Sequence, residues 1–246
     1  MAKSRKWILL RGLARGKGHW GSFAEEMQKF FPEDRIEMID LPGNGERNHV
    51  QSPLSISDYV KDVRAQSQFV KEGEPFHLLA ISLGAMVAVQ WLKEFPSEVE
   101  KAHLICTSSS STSPFYHRYQ PGNYLPTLRL FFSGSDPAAY ESTILEMTTN
   151  NPERRQVEFA RLVEYTRQYP EQRGNVLRQL LAASRFQIPK TLPKEVNLLG
   201  SYGDRLVSPN CTLQLGKLWG IQPKMHNSAG HDVPIDDPKW ILEHLL

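Results

Sequence analysis

Short runs of Ile, Leu and Val alternate with longer stretches of helical periodicity along most of the chain, and this alternation restricts the fold more than any other feature. Strands that return parallel to one another need a crossover connection, and a helix of several turns supplies it. Strands are predicted at 6–10, 35–39, 77–81, 101–106, 195–200 and 223–228. Helices are predicted at 20–31, 57–70, 83–95, 209–219 and 238–245, each followed by a turn signal or the chain end. The fold class is α/β: a mostly parallel sheet of about six strands with helices on both faces.

Between about 114 and 190 the alternation stops, and 151–186 carries apolar residues at helical spacing, among them Val157, Ala160, Leu162, Val163, Val176, Leu180 and Leu181. The chain therefore divides into a core, 1–113 and 191–246, and an inserted helical lid, 114–190. A length of 246 residues accommodates one large domain or a core plus a lid. The insertion is enriched about twofold in aromatic residues relative to the rest of the chain. Such residues either wall an apolar pocket or pack a small helical layer against itself.

Composition narrows the class further. With 40% apolar and 23% charged residues, this is the profile of an ordinary globular protein, and its longest apolar runs fall far short of the roughly 18 residues needed to cross a bilayer. A net charge of +2 favours neither nucleic acid nor a membrane surface as partner, leaving small molecules. Cys106 and Cys211 are too few and too far apart for a disulfide framework or a metal spacing, so a reducing cytoplasm is the default compartment. Lys3, Arg5, Lys6, Arg11, Arg15 and Lys17 precede the first acid, Glu25, superficially like a transit peptide. Residues 7–10 read better as the first core strand.

The segment 76–86 is an apolar strand that runs into Ser82 and then directly into a helix, with small residues Ala80 and Gly84 two positions either side. A turn that raises a serine above the sheet brings neighbouring backbones together, and small flanking residues allow this. The alternative is a serine that only caps the helix. A serine hydroxyl needs a general base, which a carboxylate must orient. Asp204 lies just beyond the strand ending Leu199-Gly200, and His231 lies just beyond the next strand. In an open α/β sheet such strand-end loops share one crevice, so residues up to 149 positions apart can meet. Asp40 reads as part of a Pro/Gly turn, Asp236 or Asp237 as a helix N-cap, and His19 as a candidate site-lining residue.

With these residues in view, the chain resembles the α/β-hydrolase family over almost its whole length. The motifs are Arg11-Gly12-Leu13 with Trp20 downstream, Asp40-Leu41-Pro42-Gly43-Asn44-Gly45, the turn at Ser82, and the loops holding Asp204 and His231. It looks most like the small carboxylesterases that include the pimeloyl-ester hydrolase of biotin synthesis. The resemblance implies Ser82 as nucleophile, His231 as general base and then acid, Asp204 as its orienting carboxylate, and the backbone N–H groups of Leu13 and Leu83 as the oxyanion hole. Two positions depart from the family pattern: Ala80 replaces the usual Gly, and Arg11 replaces the usual His before Gly12.

Arg11, with Arg15, Lys17 and His19 following, forms either an anion-attracting loop or a solvated basic one. Arg11, His19, Tyr119 and Phe132 are the candidate pocket residues. The expected activity is a serine carboxylesterase acting on small or medium acyl esters. Thioesters, lactones and carbon–carbon bonds are cleaved by the same triad, so those remain open, as does a non-catalytic ligand-binding homologue. No cofactor or metal is expected, because no dinucleotide turn or His/Cys ligand cluster occurs. The sequence leaves the oligomeric state open.

Overall fold

The computed structural model describes residues 4–132, 136–192 and 194–246, with the side chains of Phe131 and Phe132 outside the description. Among the described residues six strands form one sheet: β1 (Lys6–Leu10), β2 (Arg35–Ile39), β3 (Phe76–Ile81), β4 (Val99–Ile105), β5 (Val196–Ser201) and β6 (Lys224–His226). Every neighbouring pair is parallel, in the order β2-β1-β3-β4-β5-β6. The chain winds from β1 outward to β2, then crosses back to β3 on the other side of β1. The switch point between β1 and β3 opens a crevice at their carboxyl ends.

The strand residues sort by parity. Ile8, Leu10, Leu78, Ala80, Ala102, Leu104 and Leu198 pack on one face with α2 (Ile56–Gln66), α3 (Gln68–Glu72) and α4 (Leu83–Glu94). Trp7, Leu9, Leu79, Ile81, Ile105 and Leu199 pack on the other with α1 (Phe23–Phe30) and the C-terminal helix. Because side chains alternate along a strand, a register slip of one residue would exchange the two sets, so both apolar layers pin the register.

Between β4 and β5 lie α5 (Phe115–Arg118), α6 (Tyr124–Phe132), α7 (Pro137–Thr148), α8 (Pro152–Gln168) and α9 (Arg173–Arg185). After β5 come α10 (Pro209–Trp219), α11 (Val233–Asp236) and α12 (Pro238–Glu243). No helix among the described residues is long and apolar enough to cross a membrane.

Three local readings are corrected. The helix predicted at 57–70 is two helices, parted at Ser67, whose backbone is extended and whose Oγ accepts the Val70 N–H while donating to Glu37 at 2.7 Å. The helix predicted from residue 20 begins at Phe23, after a 3₁₀ turn over Lys17–Trp20. Of the apolar positions predicted on α8, Leu162 and Val163 are buried but Val157 is 69% exposed.

Candidate active site

β3 ends at Ile81, and the next residue turns into α4 with no intervening loop. Ser82 occupies φ 56°, ψ −115°, a region that L-residues avoid at a cost of about 1–3 kcal/mol. Its backbone holds it there. The Ser82 N–H donates to the Ile105 carbonyl at 2.9 Å, and its own carbonyl accepts from Ala85, Met86 and Thr107 Oγ1. The side chain makes no capping bond to the helix, so the reading of Ser82 as a simple N-cap does not hold. Gly84 is required sterically, because a Cβ there would stand 2.5 Å from the carbonyl oxygens of both Leu10 and Arg11.

The loops after β5 and β6 converge on the same end of the sheet. Asp204 uses one carboxylate oxygen to accept the N–H groups of Leu206 and Val207, each at 2.9 Å. The other accepts the Nδ1–H of His231 at 2.7 Å. In the neutral ring this makes Nε2 of His231 the nitrogen without a proton, facing away from Asp204. Both residues are buried. The two loops approach closely at Gly203, where a Cβ would stand 2.4 Å from the Ser228 carbonyl oxygen. His226 prepares the second loop by accepting the N–H groups of Ser228 and Ala229 on its Nδ1.

Ser82 and His231 line one cavity of about 250 Å³, together with Leu13, Leu83, Met86 and Tyr119. Leu83 is the first residue of α4, so its N–H has no intrahelical acceptor. In the opposing loop the Ala14 N–H donates to Gln179 at 2.8 Å, which leaves the N–H of Leu13 as the neighbouring donor that makes no hydrogen bond among the described residues.

A model of the alpha/beta hydrolase family matches residues 7–244. The chain belongs to the alpha/beta hydrolase family. This α/β hydrolase is 30% identical over 117 residues to monoacylglycerol lipase ABHD6 of Mus musculus, covering 45% of the chain and 34% of that relative. It is 30% identical over 99 residues to the pimeloyl-[acyl-carrier protein] methyl ester esterase of Methylococcus capsulatus, covering 40% of the chain and 35% of the relative. These alignments thus span about a third of each curated relative. Its fold is similar to that of a putative lipase from Acinetobacter baumannii AYE, at TM-score 0.71 and 18% identity over 99% of this chain and 82% of that one. It is also similar to the esterase RhEst1 from Rhodococcus sp. ECU1013, at TM-score 0.73 and 17% identity over 98% of this chain and 89% of that one.

The candidate pocket residues fare differently. Tyr119 lines the cavity and is hydrogen-bonded to Thr127. Phe132 closes α6 with its side chain outside the described residues. Arg11 lines the cavity, but its guanidinium is buried in a two-bond pair with Asp232, at 3.0 and 2.5 Å. Burial opposes the charge on Asp232, yet Arg11 holds its carboxyl below the usual range.

The expectation of a basic loop, anion-attracting or solvated, is therefore corrected. Arg15 pairs with Glu141 and Lys17 with Glu46, while Arg5 and Lys6 pair with Asp34, Glu72 and Glu74. The carboxylates come from distant parts of the chain, which is why the cations look uncompensated in sequence.

His19 does not line the cavity; it ties the 3₁₀ turn at Lys17–Trp20 to α8. Its Nδ1 accepts the Gly16 N–H at 2.9 Å, so the neutral ring carries its proton on Nε2. Nε2–H donates to Thr166 Oγ1 at 3.0 Å, and that hydroxyl donates to Glu141 at 2.6 Å. Burial, with the nearby Arg15 charge, pushes His19 down to about 4. Glu141 is held well below the usual carboxylate range by Arg15, against the opposing effect of burial.

Several residues missed in the sequence shape the site: Asp232, Glu141, Asn44 and Gln179. Asn44 donates to the carbonyls of Gly12 and Arg15, and Gln179 donates to Asn44 at 2.6 Å, so the Leu13 loop hangs from both. Asp237 is the N-cap of α12, whereas Asp236 accepts the N–H groups of Gly230, Asn150 and Asn151 and binds the His231 loop to the start of α8. Cys106 stands beside Asp204 and His231, the three potential ligand atoms lying within 4.8 Å of one another. Burial pushes its thiol well up, and both Asp204 oxygens are already committed, so a cation there would have to displace bonds that orient His231.

Proposed function

We propose that this α/β hydrolase is a serine esterase that cleaves small or medium acyl esters through an acyl-enzyme. The observation that carries the reading is the strained, uncapped Ser82 opening onto the same cavity as His231, whose Nδ1–H is fixed on Asp204. In this orientation Nε2 of His231 takes the Oγ proton as Ser82 attacks the ester carbonyl, and Asp204 stabilises the resulting imidazolium. The oxyanion is received by the N–H groups of Leu13 and Leu83, the second at the positive end of α4. Each such donor contributes about 3–4 kcal/mol in comparable sites. His231 then returns the proton to the leaving alcohol, and water, activated the same way, releases the acid.

The bond type is supported by the relatives, one named a monoacylglycerol lipase and one a methyl ester esterase. Residues 114–190 serve as the lid over the cavity, with Tyr119, Tyr140 and Leu180 in its wall. Both cysteines are buried free thiols, which suits the reducing cytoplasm. The test is hydrolysis of p-nitrophenyl esters from acetate to laurate by the protein and by Ser82→Ala. Turnover that falls at least 10³-fold in the variant, with fluorophosphonate labelling lost in parallel, is expected. Equal turnover in both would remove Ser82 from the chemistry, while labelling without ester turnover would point to thioester or carbon–carbon substrates.

A further inference from the structure

The polar side chains in the cavity wall are mostly committed to protein partners. Arg11 is paired with Asp232, Arg15 with Glu141, and Arg118 with the carbonyls of Ala183 and Ser184, while Thr148 donates to the Ile144 carbonyl. Glu171, in the link between α8 and α9, breaks the pattern. Both of its carboxyl oxygens are buried, and neither has a hydrogen-bond partner among the described residues. Although the residue as a whole is only half-buried, the carboxyl itself is withdrawn from solvent. Tyr140 of α7 lines the same cavity, close enough for the Glu171 charge to be felt at its phenol, and its hydroxyl makes no hydrogen bond among the described residues.

A buried polar group without a partner costs free energy that a fitting ligand recovers. Burial pushes Glu171 up to about 8, so near neutral pH the group is a carboxylic acid with one O–H donor and remaining acceptor capacity. A phenol beside it has the same dual character. The positive charge felt at Glu171 is that of Arg15, which is already balanced by Glu141. The match is a neutral group that both donates and accepts, which is an alcohol hydroxyl. An ammonium would require the buried acid to ionise, and a carboxylate would offer no donor.

We propose that Glu171 and Tyr140 form a polar subsite that receives a hydroxyl on the substrate arm lying in the cavity, so that hydroxylated esters are preferred over their plain hydrocarbon counterparts. This rests on the esterase reading for its place in catalysis, because Ser82 sits on the sheet side of the cavity and the subsite comes from the insertion.

The test compares p-nitrophenyl alkanoates from butyrate to decanoate with their ω-hydroxy counterparts in the wild type, Glu171→Gln, Glu171→Leu and Tyr140→Phe. Hydroxyl placed on the alcohol arm is examined with ω-hydroxyalkyl and plain alkyl esters. At the matching arm length, kcat/KM for the hydroxylated ester should exceed that of the plain one by about tenfold or more. That ratio should fall to about one in Glu171→Leu, fall severalfold in Tyr140→Phe, and be largely kept in Glu171→Gln, whose amide also donates and accepts. Binding of the same esters to Ser82→Ala, measured by calorimetry, reads the subsite without chemistry. A tighter Kd for hydroxylated arms in the absence of any wild-type turnover would overturn the esterase reading and keep the subsite. Ratios near one at every length, a ratio that survives Glu171→Leu, or a preference for ω-amino or ω-carboxy arms would overturn the subsite.

Discussion

Arg15 and Glu141 meet as buried charges, with two hydrogen bonds of 2.6 and 2.8 Å, so removing one partner strands the other away from water. Arg15→Leu should destabilise the protein by about 3–5 kcal/mol, and Arg15→Leu with Glu141→Leu should recover much of the loss, as read by denaturant unfolding. Two neighbouring groups give opposite pH dependences. His19, lowered to about 4, contributes stability that is fully present above the unfolded value near 6.5 and is lost as pH falls from there to about 4. In His19→Gln that acid-side loss should be reduced in a Tm series from pH 7 to 4. Glu171 is an acid raised to about 8, so the unfolded chain releases its proton first and stability is lost as pH rises from about 4.5 to 8. Glu171→Gln should therefore raise Tm at pH 8.5 by several degrees and leave it nearly unchanged at pH 4. At Asp204, replacement by Asn would allow the wrong His231 tautomer, and kcat should fall by about 10³–10⁴ with little change in the unfolding curve.

At the scale of elements, the site depends on how closely α4 presses on β1. A methyl group at position 84 collides with two backbone carbonyl oxygens, which cannot rotate away as a side chain could. Gly84→Ala should shift α4 off the Leu13 loop, separating the Leu13 and Leu83 N–H groups and lowering kcat by at least tenfold at unchanged substrate saturation. The elements themselves were largely legible in the sequence. β1 and β2 coincide with the predicted 6–10 and 35–39, and α10 with 209–219, because parity and turn residues act within a few positions. The break at Ser67 was not legible, since it is stabilised by Glu37 on a strand 30 residues earlier. The same holds for the neutralised basic loop, whose carboxylates at 141 and 232 lie far along the chain.

In the whole molecule, the loops after β3, β5 and β6 carry Ser82, Asp204 and His231, and the helices between β4 and β5 are tied to the sheet loops by the hydrogen bonds of His19 with Thr166, Asn150 with Asp236 and Ala14 with Gln179. If the aromatic wall measures the acyl arm, Tyr119→Ala should move the preferred p-nitrophenyl ester towards longer chains; an unchanged profile with a lower Tm would make Tyr119 a packing residue instead. The sequence by itself determined the α/β class, the order of strands and helices, and the placement of Ser82, Asp204 and His231 beyond the ends of strands, because each depends on local periodicity, small-residue spacing and chain order. Only the tertiary structure decided that Arg11 and Arg15 are internally paired, that His19 is buried with its pKa pushed down, and that the buried Glu171 carboxyl has no hydrogen-bond partner among the described residues. Those properties are set by which groups meet across long stretches of chain and by the water excluded when they do, and neither distance nor desolvation is written in the local sequence.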